Sequence, residues 1–105
     1  MHIHNVYFWL KDGLDDEALA SFEQGLNALV HDPAARGGHY GKPAAVPERD
    51  VIDSSYTYGL IVVFDDVAGH DRYQVGAIHL EFLAAHRTKW ERVLVYDVET
   101  GSPSG

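Results

Sequence analysis

Seven histidines and six tyrosines in 105 residues, with no cysteine, put any acid–base chemistry of this chain on imidazole and phenol groups. Tyr73 and His79 are the pair whose spacing matters most. Six residues apart on an unbroken helix they stand about 120° apart and do not touch. Gly76 lies between them, and a helix break there lets the hydroxyl and the imidazole converge on one pocket. His4 and Tyr58, on segments that read as strands, can join them, with Val6, Phe8, Leu60, Phe82 and Trp90 as apolar walls. In such a pocket burial drives imidazole toward its neutral, basic form, while a phenol can hold a carbonyl or enolate oxygen. The plainer reading of the same spacing makes Tyr73 and Trp90 core aromatics, and His4 and His79 histidines satisfied within the core.

A metal centre is the competing chemistry. His2-x-His4 places two imidazoles on one strand face, and His79 and His86 lie seven apart on one helical face. The chain has no H-E-x-x-H motif, no cysteine partner and no carboxylate at a spacing that fixes coordination, so no metal ligands and no cofactor are assigned. His2 is expected to face solvent. His31, His39 and His70 read as a helix-end cation, a strand residue and a surface helix residue.

The elements that must position these groups follow from periodicity. His2 to Leu10 is rich in β-branched and aromatic residues and reads as a first strand. Leu19, Phe22, Leu26, Leu29 and Val30 recur at helical steps behind Asp15 as N-cap, with Asp16 and Glu17 in the first turn and Leu14 placed to staple on Leu19. His31-Asp32-Pro33 stops that helix. Arg36 to Lys42, with three glycines, is a poor strand that fits a short edge position, and Pro43 to Ser55 reads as one exposed loop. Tyr56 to Phe64 is nearly continuous in apolar residues, as for a strand covered on both faces. Asp65 and Asp66 offer an N-cap for a helix from Val67 to Val75. A second segment runs from Ala77 to about Lys89, Arg92 to Glu99 closes the chain as a strand, and residues 100–105 form a mobile tail.

This β-α-β-β-α-β order defines one α+β domain over residues 1–99, a ferredoxin-like four-stranded antiparallel sheet with its helices on one face. A chain of this length buries about two thirds of the surface it exposes when unfolded, enough for a core without disulfides or metal. The strands carry apolar residues on both faces: Ile3, Tyr7 and Trp9 oppose Val6, Phe8 and Leu10, while Leu94, Tyr96 and Val98 oppose Val93 and Val95. Two helices cover one face only, so the other calls for a second copy of the chain. The formal net charge of -8 argues against nucleic acid and anionic membranes. No apolar run reaches a membrane span, the N-terminus lacks the pattern of a secretory signal, and the absence of cysteine fits a reducing cytoplasm.

Taken in order, His4-Asn-Val-Tyr-Phe-Trp-Leu-Lys-Asp12, Tyr40-Gly-Lys42, Ser55-Tyr-Thr-Tyr-Gly-Leu-Ile-Val-Val-Phe-Asp65, His70-Asp-Arg-Tyr-Gln74, His79-x-x-Phe82 and Trp90-Glu-Arg-Val-Leu-Val-Tyr-Asp97 resemble the stress-responsive A/B barrel domain, the dimeric α+β barrel family. The resemblance runs from His4 to about Val98. It implies two protomers joined through their sheets and a small pocket in each between sheet and helices. Most such domains are named for stress-linked expression. A plant polyketide cyclase of the family closes a linear poly-ketone into an aromatic acid without a cofactor, lining its pocket with a strand-one histidine, a helix tyrosine and the histidine six residues later. His4, Tyr73 and His79 match those positions in type. Where many members carry His-Pro-x-His, this chain has Gly76-Ala77-Ile78-His79, and Tyr58 replaces the cyclase's strand-three histidine.

Three functions are therefore in play. The first is a pocket-bearing homodimer that holds a small apolar or aromatic carbonyl ligand, with Tyr58, Val6, Phe8, Leu60, Phe82 and Trp90 as ligand contacts. The second is a cofactor-independent aldol cyclase, isomerase or lyase with His79 as base, Tyr73 orienting the substrate oxygen and His4 as a further polar group. The third is a histidine-ligated metal protein. The fold alone ranks the first ahead of the second, because a fold does not fix a reaction.

Overall fold

Residues 1–101 are described by a computed structural model of the chain. A nine-residue strand, β1 (His2–Leu10), alternates strictly between buried and half-buried positions, which sends His2, His4, Val6, Phe8 and Leu10 to one face. The helix α1 (Asp16–Val30) begins where expected: the Asp15 carboxylate accepts the Ala18 N–H at 2.8 Å. Its apolar stripe buries Phe22, Leu26, Leu29 and Val30 against the sheet. The glycine-rich stretch forms β2 (Gly37–Gly41). Its composition has a packing cause, since a Cβ at Gly38 would stand 2.3 Å from the Ile61 carbonyl oxygen.

The remaining elements are β3 (Tyr58–Phe64), α2 (Val67–Val75), α3 (Ala77–His86), a 3-10 turn over Arg87–Lys89 and β4 (Trp90–Glu99). The sheet is antiparallel in the order β2-β3-β1-β4, so β1 is central and β4 is an edge. β3 starts two residues later than its composition suggests, and β4 two residues earlier, with a register shift at Trp9/Leu10. Asp66 caps α2 by accepting the Gly69 N–H at 2.9 Å. The break between α2 and α3 falls at Gly76, but with φ −75° and ψ 158°, a conformation open to any residue. A Cβ there would be crowded, 3.2 Å from the Arg72 carbonyl oxygen and 3.3 Å from that of Tyr73.

The helices lie on one face, and the core of Phe8, Phe22, Leu26, Leu60, Val62, Phe64, Tyr73 and Phe82 sits between them and the sheet. Within the protomer the helices cover one face of β3, and Ile61 on its other face is 38% exposed. The loop ending at Tyr56 also belongs to that open face. The Tyr56 ring packs 5.0 Å from Tyr7, and Trp9 Nε1 donates to Ser55 Oγ at 3.0 Å. Thr100 is tied back to Met1 by a backbone bond of 2.9 Å, while positions 102–105 of the expected mobile tail lie outside the described residues. None of the helices described is long and apolar enough to cross a membrane.

Candidate functional site

β1 aims His4, Val6 and Phe8 under the helical layer, β3 contributes Leu60, α2 brings Tyr73 and Gln74, and α3 brings His79 and Phe82. Together with Trp90 these residues line a cavity of about 180 Å³ that reaches the sheet edge at Val93 and Val95. Those two valines are cavity-side residues of β4 that the helices leave partly uncovered, at 42% and 45% exposure. The expected convergence across Gly76 is present, because the rings of Tyr73 and His79 stand 5.0 Å apart, and those of His4 and Tyr73 5.9 Å. A larger hollow of about 540 Å³ between Asp32–Arg36 and Gly76–Ile78 is an open groove. It lacks this combination of apolar walls and facing histidine and tyrosine.

Burial sets the electrostatics. It pushes the Tyr73 hydroxyl well above the ordinary phenol range, with the Asp32 carboxylate acting in the same direction, so Tyr73 is a neutral donor. Burial also lowers the pKa of His79, assisted by repulsion from His4, and holds its imidazole in the neutral form. His79 Nδ1 and Gln74 Oε1 are both buried without a hydrogen-bond partner. Unpaired buried polar atoms are costly, and two of them stand on residues that line this cavity.

Tyr58 is not part of this wall. Its ring lies in the core against Phe22 and its hydroxyl donates to the Glu23 carboxylate of α1; burial first, and then that carboxylate, raise its pKa. The expectation that Tyr58 contacts ligand is corrected on that ground. Gln74 was not anticipated; its only signal was its place beside Tyr73 on a helix facing the sheet.

A second cluster adjoins the cavity through His4. His2 is 8% exposed, not solvent-facing, because the alternation of β1 turns it inward with His4. Asp97, opposite His4 in the β1–β4 register, places Oδ1 2.8 Å from His2 Nε2 and 2.6 Å from His4 Nδ1. His70, expected on the surface, stacks on His2 at 4.5 Å and meets His4 at 4.8 Å between ring centroids. Burial lowers the pKa of His4 against the raising effect of Asp97. Burial likewise opposes ionisation of Asp97, but the hydrogen bonds from His4 and His2 outweigh it and hold its carboxyl below the usual range. His86 stays apart, buried between Phe22 and Phe82 with its Nδ1 3.1 Å from Lys89 Nζ, and cannot pair with His79 at a metal.

A sequence model of the stress-responsive A/B barrel domain matches residues 3–100, and the chain belongs to this family. Among solved structures, a protein of Arabidopsis thaliana superposes with a TM-score of 0.79 at 23% identity, covering 99% of both chains. A dimeric ferredoxin-like protein of unknown function from Thermobifida fusca gives 0.75 at 15% identity, over 94% of this chain and 90% of that one. A hydroxynitrile lyase from Passiflora edulis gives 0.77 at 17% identity, over 97% and 96%. At these identities the likeness establishes the fold. Comparison with curated proteins finds no match.

Proposed function

We propose that this chain is a homodimeric binding protein whose pocket, between sheet and helices, takes a single-ring aromatic or similarly small carbonyl compound that also carries a hydroxyl. The observation that supports this most directly is the pair of unpartnered buried atoms, His79 Nδ1 and Gln74 Oε1, on one apolar cavity beside the Tyr73 hydroxyl. Tyr73 offers a donor to the ligand carbonyl, and a ligand hydroxyl can donate its single proton to Gln74 Oε1 or to His79 Nδ1. The volume of about 180 Å³ matches one ring, since a cavity of roughly 150 Å³ accommodates benzene. A long poly-ketone chain does not fit unless the edge at Val93 and Val95 opens. The dimer is assigned to the open sheet face, in keeping with the dimeric T. fusca neighbour. A cytoplasmic location fits the lack of cysteine.

Catalysis is the second reading, favoured by the neutral His79 next to a neutral phenol. His79 takes the proton from a carbon α to the ligand carbonyl while Tyr73 hydrogen-bonds the resulting enolate oxygen. The enolate carbon then attacks a second carbonyl of the same molecule, and the new alkoxide recovers the proton from His79. Return of the proton to a different carbon is isomerisation, and the same base and donor acting on a β-hydroxy carbonyl compound, His79 taking the hydroxyl proton and Tyr73 holding the enolate oxygen as the carbon–carbon bond breaks, would be a lyase reaction; the P. edulis neighbour is a hydroxynitrile lyase.

The test is a thermal-shift and calorimetric screen with small aromatic aldehydes and ketones, 4-hydroxyacetophenone among them. Binding to the folded state raises the melting temperature in a concentration-dependent way. Val93→Trp, at the exposed mouth of the cavity, is expected to abolish the shift. No shift from any compound, or a shift that survives Val93→Trp, overturns the reading. Where turnover is seen, His79→Ala should lower its rate about 100- to 10,000-fold.

A further inference from the structure

We propose that His2, His4, His70 and Asp97 form a binding site for a divalent first-row transition metal, zinc above all, that clamps β1, β4 and α2 together at the end of the sheet. Each of the four residues offers a ligand atom, and these atoms all lie within 4.8 Å of one another. Three elements distant in sequence supply them, so the convergence is tertiary: β1 gives two imidazoles, β4 the carboxylate and α2 the third imidazole.

The distances suit the ion. Four donors at 2.0–2.1 Å from a tetrahedral zinc stand roughly 3.3 Å from each other. Asp97 Oδ1 stands 2.8, 2.6 and 3.8 Å from His2 Nε2, His4 Nδ1 and His70 Nε2, values that bracket this spacing. Binding requires side-chain rotations that bring the separations in the set, which run up to 4.8 Å, to this common spacing. The donor set, three neutral imidazoles and one carboxylate, is of the type that zinc, cobalt and nickel prefer, whereas magnesium and calcium favour all-oxygen sites.

The hydrogen bonding of the cluster points the same way. A single oxygen, Asp97 Oδ1, serves both His2 and His4, and His70 Nε2 is left buried without a hydrogen bond. One acceptor cannot satisfy three converging ring nitrogens, but one cation accepts a lone pair from each. The Asp97 side chain, 39% exposed, gives the ion a path from solvent while the imidazoles stay enclosed. With four protein ligands the site is closed, as in structural metal centres. Metal on His4 Nδ1 leaves Nε2 to carry the ring proton, so the ion would also fix His4 as a hydrogen-bond donor beside Tyr73.

The site is tested on protein made without a polyhistidine tag, using Zn²⁺ in competition with a chromophoric chelator and Co²⁺ as a spectroscopic probe. The expected result is one Zn²⁺ per chain and the intense visible bands of tetrahedral Co²⁺. His70→Gln and His2→Gln should each weaken Zn²⁺ by at least the 10- to 100-fold typical of losing an outer-shell partner. His39→Gln, at an exposed position of β2, should leave it unchanged. Circular dichroism checks the fold of each variant, and Asp97→Asn supplies a third if either histidine change impairs folding. Zinc binding below one equivalent, a weak octahedral Co²⁺ spectrum, or His39→Gln costing as much as the folded ligand variants overturns the proposal. Neither Tyr73 nor His79 is altered, so the outcome is independent of ligand binding in the cavity.

Discussion

The rings of Tyr73 and His79 meet at 5.0 Å between centroids, 55° apart in plane, across a helix break and not along one helix. Burial acts on them in opposite directions on the pKa scale and to the same end, a neutral phenol beside a neutral imidazole. A donor and an acceptor thus face one cavity with no charge to repel an apolar ligand.

Tyr73→Phe isolates the donor. It keeps the ring and its contacts with Phe64 and His4, so stability should change by less than about 1.5 kcal/mol. Loss of one hydrogen bond to the ligand carbonyl costs about 0.5–1.5 kcal/mol, or roughly 2- to 10-fold in Kd. Titration calorimetry with 4-hydroxyacetophenone reads the change; equal affinity in the two proteins removes Tyr73 from ligand recognition.

Much of this site could be read from the sequence, for physical reasons that differ by residue. The alternation of His2 to Leu10 fixes a face, and Gly76 interrupts the helical pattern, which together bring His4, Tyr73 and His79 to one cavity. Tyr58 was misplaced because its hydroxyl is captured by Glu23, 35 positions away, and local pattern carries no trace of that partner. Asp97 carries no local signal for the same reason, since only the β1–β4 register sets it opposite His4. His2 stands beside the terminus, yet the alternation that turns His4 inward turns it inward as well.

His86 makes stability depend on pH. It is buried against Phe22 and Phe82, beside the Lys89 ammonium, and its pKa is lowered first by burial and then by that charge. The unfolded chain therefore takes up a proton at His86 as pH falls below about 6.5, while the folded chain resists. The contribution is neutral above that pH and destabilising below it. Urea unfolding of the wild type should show lower stability at pH 5 than at pH 7.5, and His86→Gln should reduce the difference without abolishing it, because His4 and His79 are lowered in the same direction. An unchanged pH slope in the variant assigns the effect elsewhere.

Gly25 sits in the interior of α1, where alanine normally stabilises by about 1 kcal/mol. Here the added methyl carbon would stand 2.7 Å from His86 Nε2 and 2.9 Å from both His86 Cδ2 and Phe82 Cδ2. Two packed rings must move, and overpacking typically costs about 1–3 kcal/mol. Gly25→Ala should therefore lower the melting temperature despite its helix propensity. A rise in melting temperature would show that α1 and α3 separate easily.

The open sheet face gives the last prediction. Ile61, Tyr96 and Val98 are 38%, 57% and 49% exposed there, next to half-buried Ile3 and Val63. Tyr56 already shields Tyr7 and Trp9, so the exposed apolar area is concentrated around the β3-β1-β4 half that carries Ile61, Tyr96 and Val98. A twofold partner that buries this half places Ile61 in its interior, where an unpaired carboxylate is strongly disfavoured. Light scattering after size exclusion should give the wild type twice the 11.7 kDa of one chain, and Ile61→Glu the mass of one. Val75→Glu, on an exposed position of α2, makes a comparable substitution away from the sheet and should leave the dimer intact. Dissociation by Val75→Glu but not by Ile61→Glu would place the interface on the helical side and leave the apolar sheet face without its proposed partner.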